Sequence, residues 1–361
     1  MKILGIEPYY GGSHRTFMDG LTQRVEADWS MLTLPARAWK WRLRTAAPHL
    51  AKQYKNSCST APDLVFASSM LSLGEFLAMA GLSETPSVLY FHENQFEYPV
   101  RREDERDLQL AMTNVLSAHV ADSVMFNSDY NRSTFMLGAR DLVRRSPDAS
   151  LEWMVDDIEA RSSVVPVPID LMKLGASWDP RPDDGPPIIC WNHRWEHDKN
   201  PGGFFACLHQ LKSEGVPFRV AILGQPFKDM RDVFDAGAKK LGPDVVIQFG
   251  PIQDREEYLS FLSRCSIVVS TAHHEFQGLS VIEAVARGAC PVLPDRLAYP
   301  EFFPPSALYS TPSALIDRLR CLLTLCPDPD KDLVAHSSSF SWEHRATAFQ
   351  EALYRVGKKC R

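Results

Sequence analysis

Short apolar runs alternate along the chain with longer amphipathic stretches. In the first half the runs fall at residues 3–6, 64–67, 88–91, 124–127 and 163–168. A glycine turn and a helix from about Ser13 follow the first run, and Ser128 stands where it would cap a helix after the fourth. In the second half the runs at 188–191, 219–224, 245–249, 267–270 and 290–293 repeat the alternation, with a helix near Pro201. Parallel strands covered by helices on both faces read as continuous apolar runs. The pattern therefore predicts an α/β fold of two Rossmann-like, doubly wound domains. Pro166, Pro168, Pro180, Pro182, Pro186 and Pro187, with Asp183-Asp184-Gly185 among them, mark a linker. The expected division is a first domain over 1–170, a linker over 171–187, a second domain over 188–340 and a C-terminal helix over 341–361. In such a pair, loops at the carboxyl ends of the strands face a central cleft.

Composition narrows the function. With 45% apolar and 23% charged residues the chain is neither disordered nor collagen-like. A net charge of -6 excludes a uniformly basic nucleic-acid binder, so contact with an anionic polymer requires a local patch. One exists. Between Asp28 and Asp63 stand Arg37, Lys40, Arg42, Arg44, Lys52 and Lys55 with no acid, interleaved with Trp39, Trp41 and Tyr54. Basic side chains follow phosphates while aromatic faces stack on unpaired bases. The plainer alternative is a solvated basic helix with its aromatics in the core. Arg140, Arg144 and Arg145 form a second, weaker patch. The eight cysteines show no CxxC pair and read as reduced thiols of a cytoplasmic protein. The first apolar run reads as a strand and not as a secretory signal. The longest apolar stretch, 64–82, is interrupted by Glu75, so no membrane span is expected.

Four motifs carry candidate chemistry. Glu275 and Glu283 flank Gly278, which precedes a helix ending near Gly288. Backbone N–H groups of Gly278, Leu279 and Ser280 at that helix start suit a phosphate, and Glu283 suits ribose hydroxyls. The plainer alternative is a surface acid before the helix and an ordinary solvated Glu within it. Eight helical residues span about 12 Å, beyond the roughly 5–9.5 Å between the carboxylates of a glycoside hydrolase. The second motif, Trp191-Asn192-His193-Arg194-Trp195-Glu196-His197-Asp198-Lys199-Asn200-Pro201, follows a strand. A metal held by His193, His197, His273 and His274 is disfavoured there, because Arg194 and Lys199 repel a cation. The third, Tyr9-Tyr10-Gly11-Gly12-Ser13-His14, lets backbone approach a ligand at Gly11 and Gly12. It lacks G-x-G-x-x-G, which argues against a dinucleotide oxidoreductase. The fourth, Phe91-His92-Glu93-Asn94-Gln95-Phe96-Glu97-Tyr98-Pro99, follows the third strand. Asp328, Asp330 and Asp332 match D-x-D only superficially and read as loop residues.

Taken in order, these motifs resemble retaining glycosyltransferases of the GT-B type, family 4, although E-F-Q-G stands here for the usual E-x-F-G. The resemblance implies a C-terminal helix crossing back to the first domain. It implies that Glu275 faces the donor sugar, Glu283 holds the ribose, and Arg194 and Lys199 clamp the diphosphate. Pro251 and Ile252 fall at the base pocket, and His92 at a contact to the transferred sugar. The phrases PYYGGSH, FHENQFEYP and LPARAWKWRLRT further resemble one branch, the tRNA-queuosine mannosyltransferases. That branch implies transfer of mannose from GDP-mannose to queuosine-containing tRNA, by resemblance tRNA-Asp, at the wobble position. His14, Glu93, Asn94 and Gln95 become acceptor-side candidates. No metal or other cofactor is expected. The alternatives are a family 4 enzyme acting on a lipid, glycan or small metabolite, and a non-catalytic tRNA-binding module.

Overall fold

A computed structural model describes residues 1–57, 60–100, 106–171, 185–227, 230–326 and 328–359. Most of the expected linker, 172–184, lies outside the described residues, as do Cys58 and Cys360. The chain forms two compact units, Met1–Pro168 with Trp342–Arg361, and Ile169–Ser341.

The first unit holds six parallel strands: β1 (Lys2–Tyr10), β2 (Asp28–Pro35), β3 (Leu64–Ser68), β4 (Ser87–Phe91), β5 (Ser123–Phe126) and β6 (Ser162–Val164). Their order is β2-β1-β3-β4-β5-β6. Every residue of β3 and β4 is buried, as expected of strands covered on both faces. The apolar runs did not reveal β2. It is an edge strand whose buried and exposed residues partly alternate, so it has no continuous apolar signature. Helix Trp342–Lys359 joins this unit, so the chain crosses back from the second. Trp342 stacks on Phe17 at 6.0 Å and Phe349 packs 5.5 Å from it. Gly20 makes room, since a Cβ there would lie 2.4 Å from the Trp342 ring.

The second unit also holds six parallel strands: β7 (Ile188–Asn192), β8 (Arg219–Leu223), β9 (Val246–Phe249), β10 (Ile267–Val269), β11 (Cys290–Pro294) and β12 (Leu308–Tyr309). Their order is β12-β11-β10-β7-β8-β9. The winding reverses between β7 and β10, and ligands of open α/β sheets bind beyond the carboxyl ends at such a reversal. The loops following these two strands carry Arg194, Lys199 and Glu275. In the first sheet the reversal lies between β1 and β3, beside the loop holding Gly11 and Gly12.

Among the described residues no helix is long and apolar enough to cross a membrane. The six described cysteines are free thiols. Asp330 caps helix Lys331–Ser338, its carboxylate accepting from the amides of Asp332 and Leu333, so the D-x-D spacing is a helix start.

Candidate functional site

The loop after β7 is held by its neighbours. Gly224 has φ +102° and lies under the His193 carbonyl; a Cβ there would come within 1.8 Å of that oxygen. Trp195 donates its backbone N–H to the Gln225 carbonyl at 3.0 Å and stacks on Phe234 at 4.2 Å. Between these anchors Arg194 is exposed, 3.1 Å from Glu196. Lys199 is buried. Its Nζ donates to the His274 carbonyl at 2.6 Å and lies 3.2 Å from Asp198 and 3.5 Å from Glu275. Burial opposes the Lys199 charge, but Glu275 and Asp198 outweigh it and hold the ammonium above its ordinary pKa. Burial likewise opposes the Glu275 charge, yet Lys199 holds that carboxyl below the usual range. Two motifs 76 residues apart thus meet as an ion pair. His193 beside them is buried, and its pKa falls to about 4 through burial and the Lys199 charge.

Helix Leu279–Ala286 starts at Gly278, whose φ is +82°. Glu283 is bound by the Arg255 guanidinium and accepts from the Tyr258 hydroxyl at 2.8 Å. That hydroxyl accepts from Asn192 Nδ2 at 2.7 Å, and Ser280 Oγ donates to the Asn192 carbonyl. The end of β7, the start of this helix and helix Arg255–Arg264 are therefore locked together. Sequence reasoning missed Arg255 and Tyr258. Their only signal was position, a few residues beyond Pro251 and Ile252, which are exposed and half-buried respectively.

In the first unit, Glu7 on β1, His14 on helix Gly12–Arg24, and His92 and Glu93 after β4 converge. His14 Nδ1 lies 3.0 Å from Glu7 and Nε2 lies 3.4 Å from Glu93. Burial works against a charged His14, but the two carboxylates raise its pKa to about 10. The His92 ring is 4.2 Å away, and burial together with the His14 charge pushes its pKa well down. Ligand atoms of Glu7, His14 and His92 lie within 4.8 Å of one another, a spacing open to a metal ion. The two nitrogens of His14 already face carboxylates, however, so the group is arranged as an ion-pair network. Glu7 was not singled out in the sequence, where it reads as one acid within a strand.

Gly11 abuts Ala36, whose Cβ would be 2.5 Å from an added Cβ; Gly12 has φ +53° with open space beside it. Asn94 is absorbed by the fold. Its Nδ2 donates towards Asn131 and Thr134, and its Oδ1 accepts from the amides of Phe96 and Glu97. That leaves little capacity for an acceptor contact. Gln95 is buried.

The basic segment is helix Trp39–Ser57 with the turn before it. Arg37, Lys40, Lys52 and Lys55 are exposed, and Trp41 is 62% exposed. Other members differ from the expectation. Tyr54 lies in the hydrophobic core, because its position falls on the face bearing Leu43, Ala47, Leu50 and Ala51. Trp39 is half-buried against Tyr98 at 4.6 Å. Arg42 donates to the Pro35 carbonyl at 3.0 Å, and Arg44 pairs with Asp107. The second expected patch is neutralised: Arg140 pairs with Asp156 and Glu159, Arg144 with Glu152 and Arg145 with Asp141.

Comparison with known proteins agrees with this architecture. A sucrose-phosphate synthase from Thermosynechococcus elongatus superposes with a TM-score of 0.71 at 16% identity, covering 98% of each chain. A UDP-forming trehalose-phosphate synthase from Burkholderia xenovorans gives 0.71 at 14% identity, covering 99% of each. Residues 176–311 match the family of glycosyl transferases group 1. The protein is a glycosyltransferase of the two-domain GT-B fold. Residues 2–169 match the N-terminal family of tRNA-queuosine alpha-mannosyltransferases. The Drosophila melanogaster enzyme of that name is 37% identical over 327 residues, 88% of this chain and 85% of its own. The chain belongs to the tRNA-queuosine alpha-mannosyltransferase family.

Proposed function

We propose that this protein transfers mannose from GDP-mannose to queuosine in tRNA, with tRNA-Asp the acceptor and the cytoplasm the place of work. The supporting observation is the Lys199–Glu275 pair at the order reversal of the second sheet, in a chain of the queuosine branch. Arg194, exposed beside that pair, and Lys199 oppose the charge of the leaving diphosphate, aided by the helix start at Gly278–Ser280. Glu275 faces the sugar and Glu283 the ribose, with Pro251 and Ile252 near the base. His92 contacts the transferred sugar. The reaction proceeds with retention on the donor face. The bond from the sugar C1 to the phosphate oxygen breaks, the bond to the acceptor oxygen forms, and the acceptor proton passes to the phosphate. Two cations and a helix start offset the leaving charge, so transfer needs no metal and survives EDTA. The exposed basic face of helix Trp39–Ser57 holds the tRNA backbone.

The test offers queuosine-containing tRNA with GDP-mannose, UDP-glucose and UDP-galactose, and reads the nucleotide released. GDP release that requires queuosine in the tRNA supports the proposal. Release of UDP instead, or release indifferent to queuosine, contradicts it.

A further inference from the structure

Glu7, His14 and Glu93 form one chain of charge. A carboxylate oxygen only accepts, so carboxylates at 3.0 Å and 3.4 Å from the two His14 nitrogens make both nitrogens donors. The ring is then an imidazolium between two anions, and one negative charge is left over. Exposure says where that charge is available. The Glu7 side chain is fully buried, whereas 16% of the Glu93 side chain is exposed. A second observation points to a ligand at the same place. His92 is only 7% exposed, its ring is 4.2 Å from that of His14, and its Nε2 has no hydrogen-bond partner among the described residues. A buried polar atom without a partner is costly, and a ligand that supplies the partner removes the cost.

The group that meets both demands is a cation with hydroxyls close by. Queuosine has that chemistry: its side chain carries a cyclopentene diol on a secondary amine that is protonated near neutral pH. We propose that Glu93 binds the ammonium of the acceptor side chain, held in place by His14 and Glu7, with His92 Nε2 meeting a hydroxyl beside it. This rests on the queuosine reading above and says how that base is chosen over the guanine it replaces. Guanine has neither the amine nor the diol. His14 and Glu7 are positioning residues here, acting through the Glu93 carboxylate.

Two free bases test this on the intact protein: queuine, and its isostere in which a methylene replaces the side-chain N–H, keeping the diol but not the charge. Wild-type protein is expected to bind queuine about tenfold more tightly than the isostere, the scale of a charged hydrogen bond. Glu93→Gln should abolish that preference and raise KM for queuosine-containing tRNA about tenfold, and Glu93→Asp should restore part of it. GDP affinity and KM for GDP-mannose should stay at wild-type values, which also reports that the variant is folded. His14→Gln should raise the tRNA KM with less effect on kcat. Equal affinity of the wild type for the two bases, or an unchanged tRNA KM in Glu93→Gln, overturns the assignment. Wild-type protein that transfers nothing to queuosine-containing tRNA overturns the acceptor reading itself, a failure visible before any variant is made.

Discussion

Lys199 has a structural duty that Arg194 lacks. Both stand on one loop and both are proposed to face the diphosphate. Arg194 is exposed, and its pair with Glu196 is a surface ion pair worth about 0–1 kcal/mol. Lys199 is buried between the buried Asp198 and the half-buried Glu275, and its loss leaves both carboxylates without their cation. Arg194→Ala should therefore abolish donor binding at nearly unchanged stability. Lys199→Ala should abolish it and also cost about 3–5 kcal/mol. Urea unfolding alongside GDP titration checks this, and equal stability of the two variants would contradict it. His14 gives a pH signature. Its pKa is about 10 in the folded chain, against an ordinary 6.5 when unfolded. The folded state thus keeps a proton that the unfolded chain releases. The contribution is complete below pH 6.5 and is lost as pH rises through about 10. Between these limits stability should fall by up to about 1.4 kcal/mol per pH unit. Unfolding from pH 6 to pH 10 should show that slope for the wild type and a shallower one for His14→Gln. Identical slopes would mean that His14 is not held charged.

At the scale of elements, helix Trp39–Ser57 shows what a composition-based reading reaches and where it stops. The lack of acids correctly marked a basic face, yet composition carries no angle around the helix. Trp41 and Tyr54 looked equivalent as interleaved aromatics. One is 62% exposed and the other 8%. Their effects should separate. Trp41→Ala should change stability by about 0.5 kcal/mol or less and weaken tRNA binding by about 1–3 kcal/mol if a base stacks there. Tyr54→Ala should destabilise by about 3–5 kcal/mol without a specific loss of tRNA affinity. Thermal melts and tRNA titrations at fixed salt decide it. Comparable stability losses in both would mean that Trp41 is packed. The same limit hid β2. An edge strand with one wet face lacks the unbroken apolar run that marked most of the other strands.

For the whole molecule, the alternation of apolar runs and amphipathic stretches was enough to predict two parallel-sheet halves, because burial on both faces leaves a local mark. The pairing of Lys199 with Glu275 and of His14 with Glu7 and Glu93 leaves none. Those contacts come from sheet order, which places the ends of distant strands side by side. Glu7, Arg255 and Tyr258 were invisible for that reason. On the proposed function, this architecture serves the transfer of one sugar to one modified base. The decisive measurement is mass spectrometry of the nucleosides from queuosine-containing tRNA, after incubation with the protein and each nucleotide sugar in turn. One added hexose is expected on queuosine with GDP-mannose alone, and none on tRNA that carries guanine at the wobble position. An unmodified queuosine with GDP-mannose, or a hexose added equally to tRNA without queuosine, would contradict it.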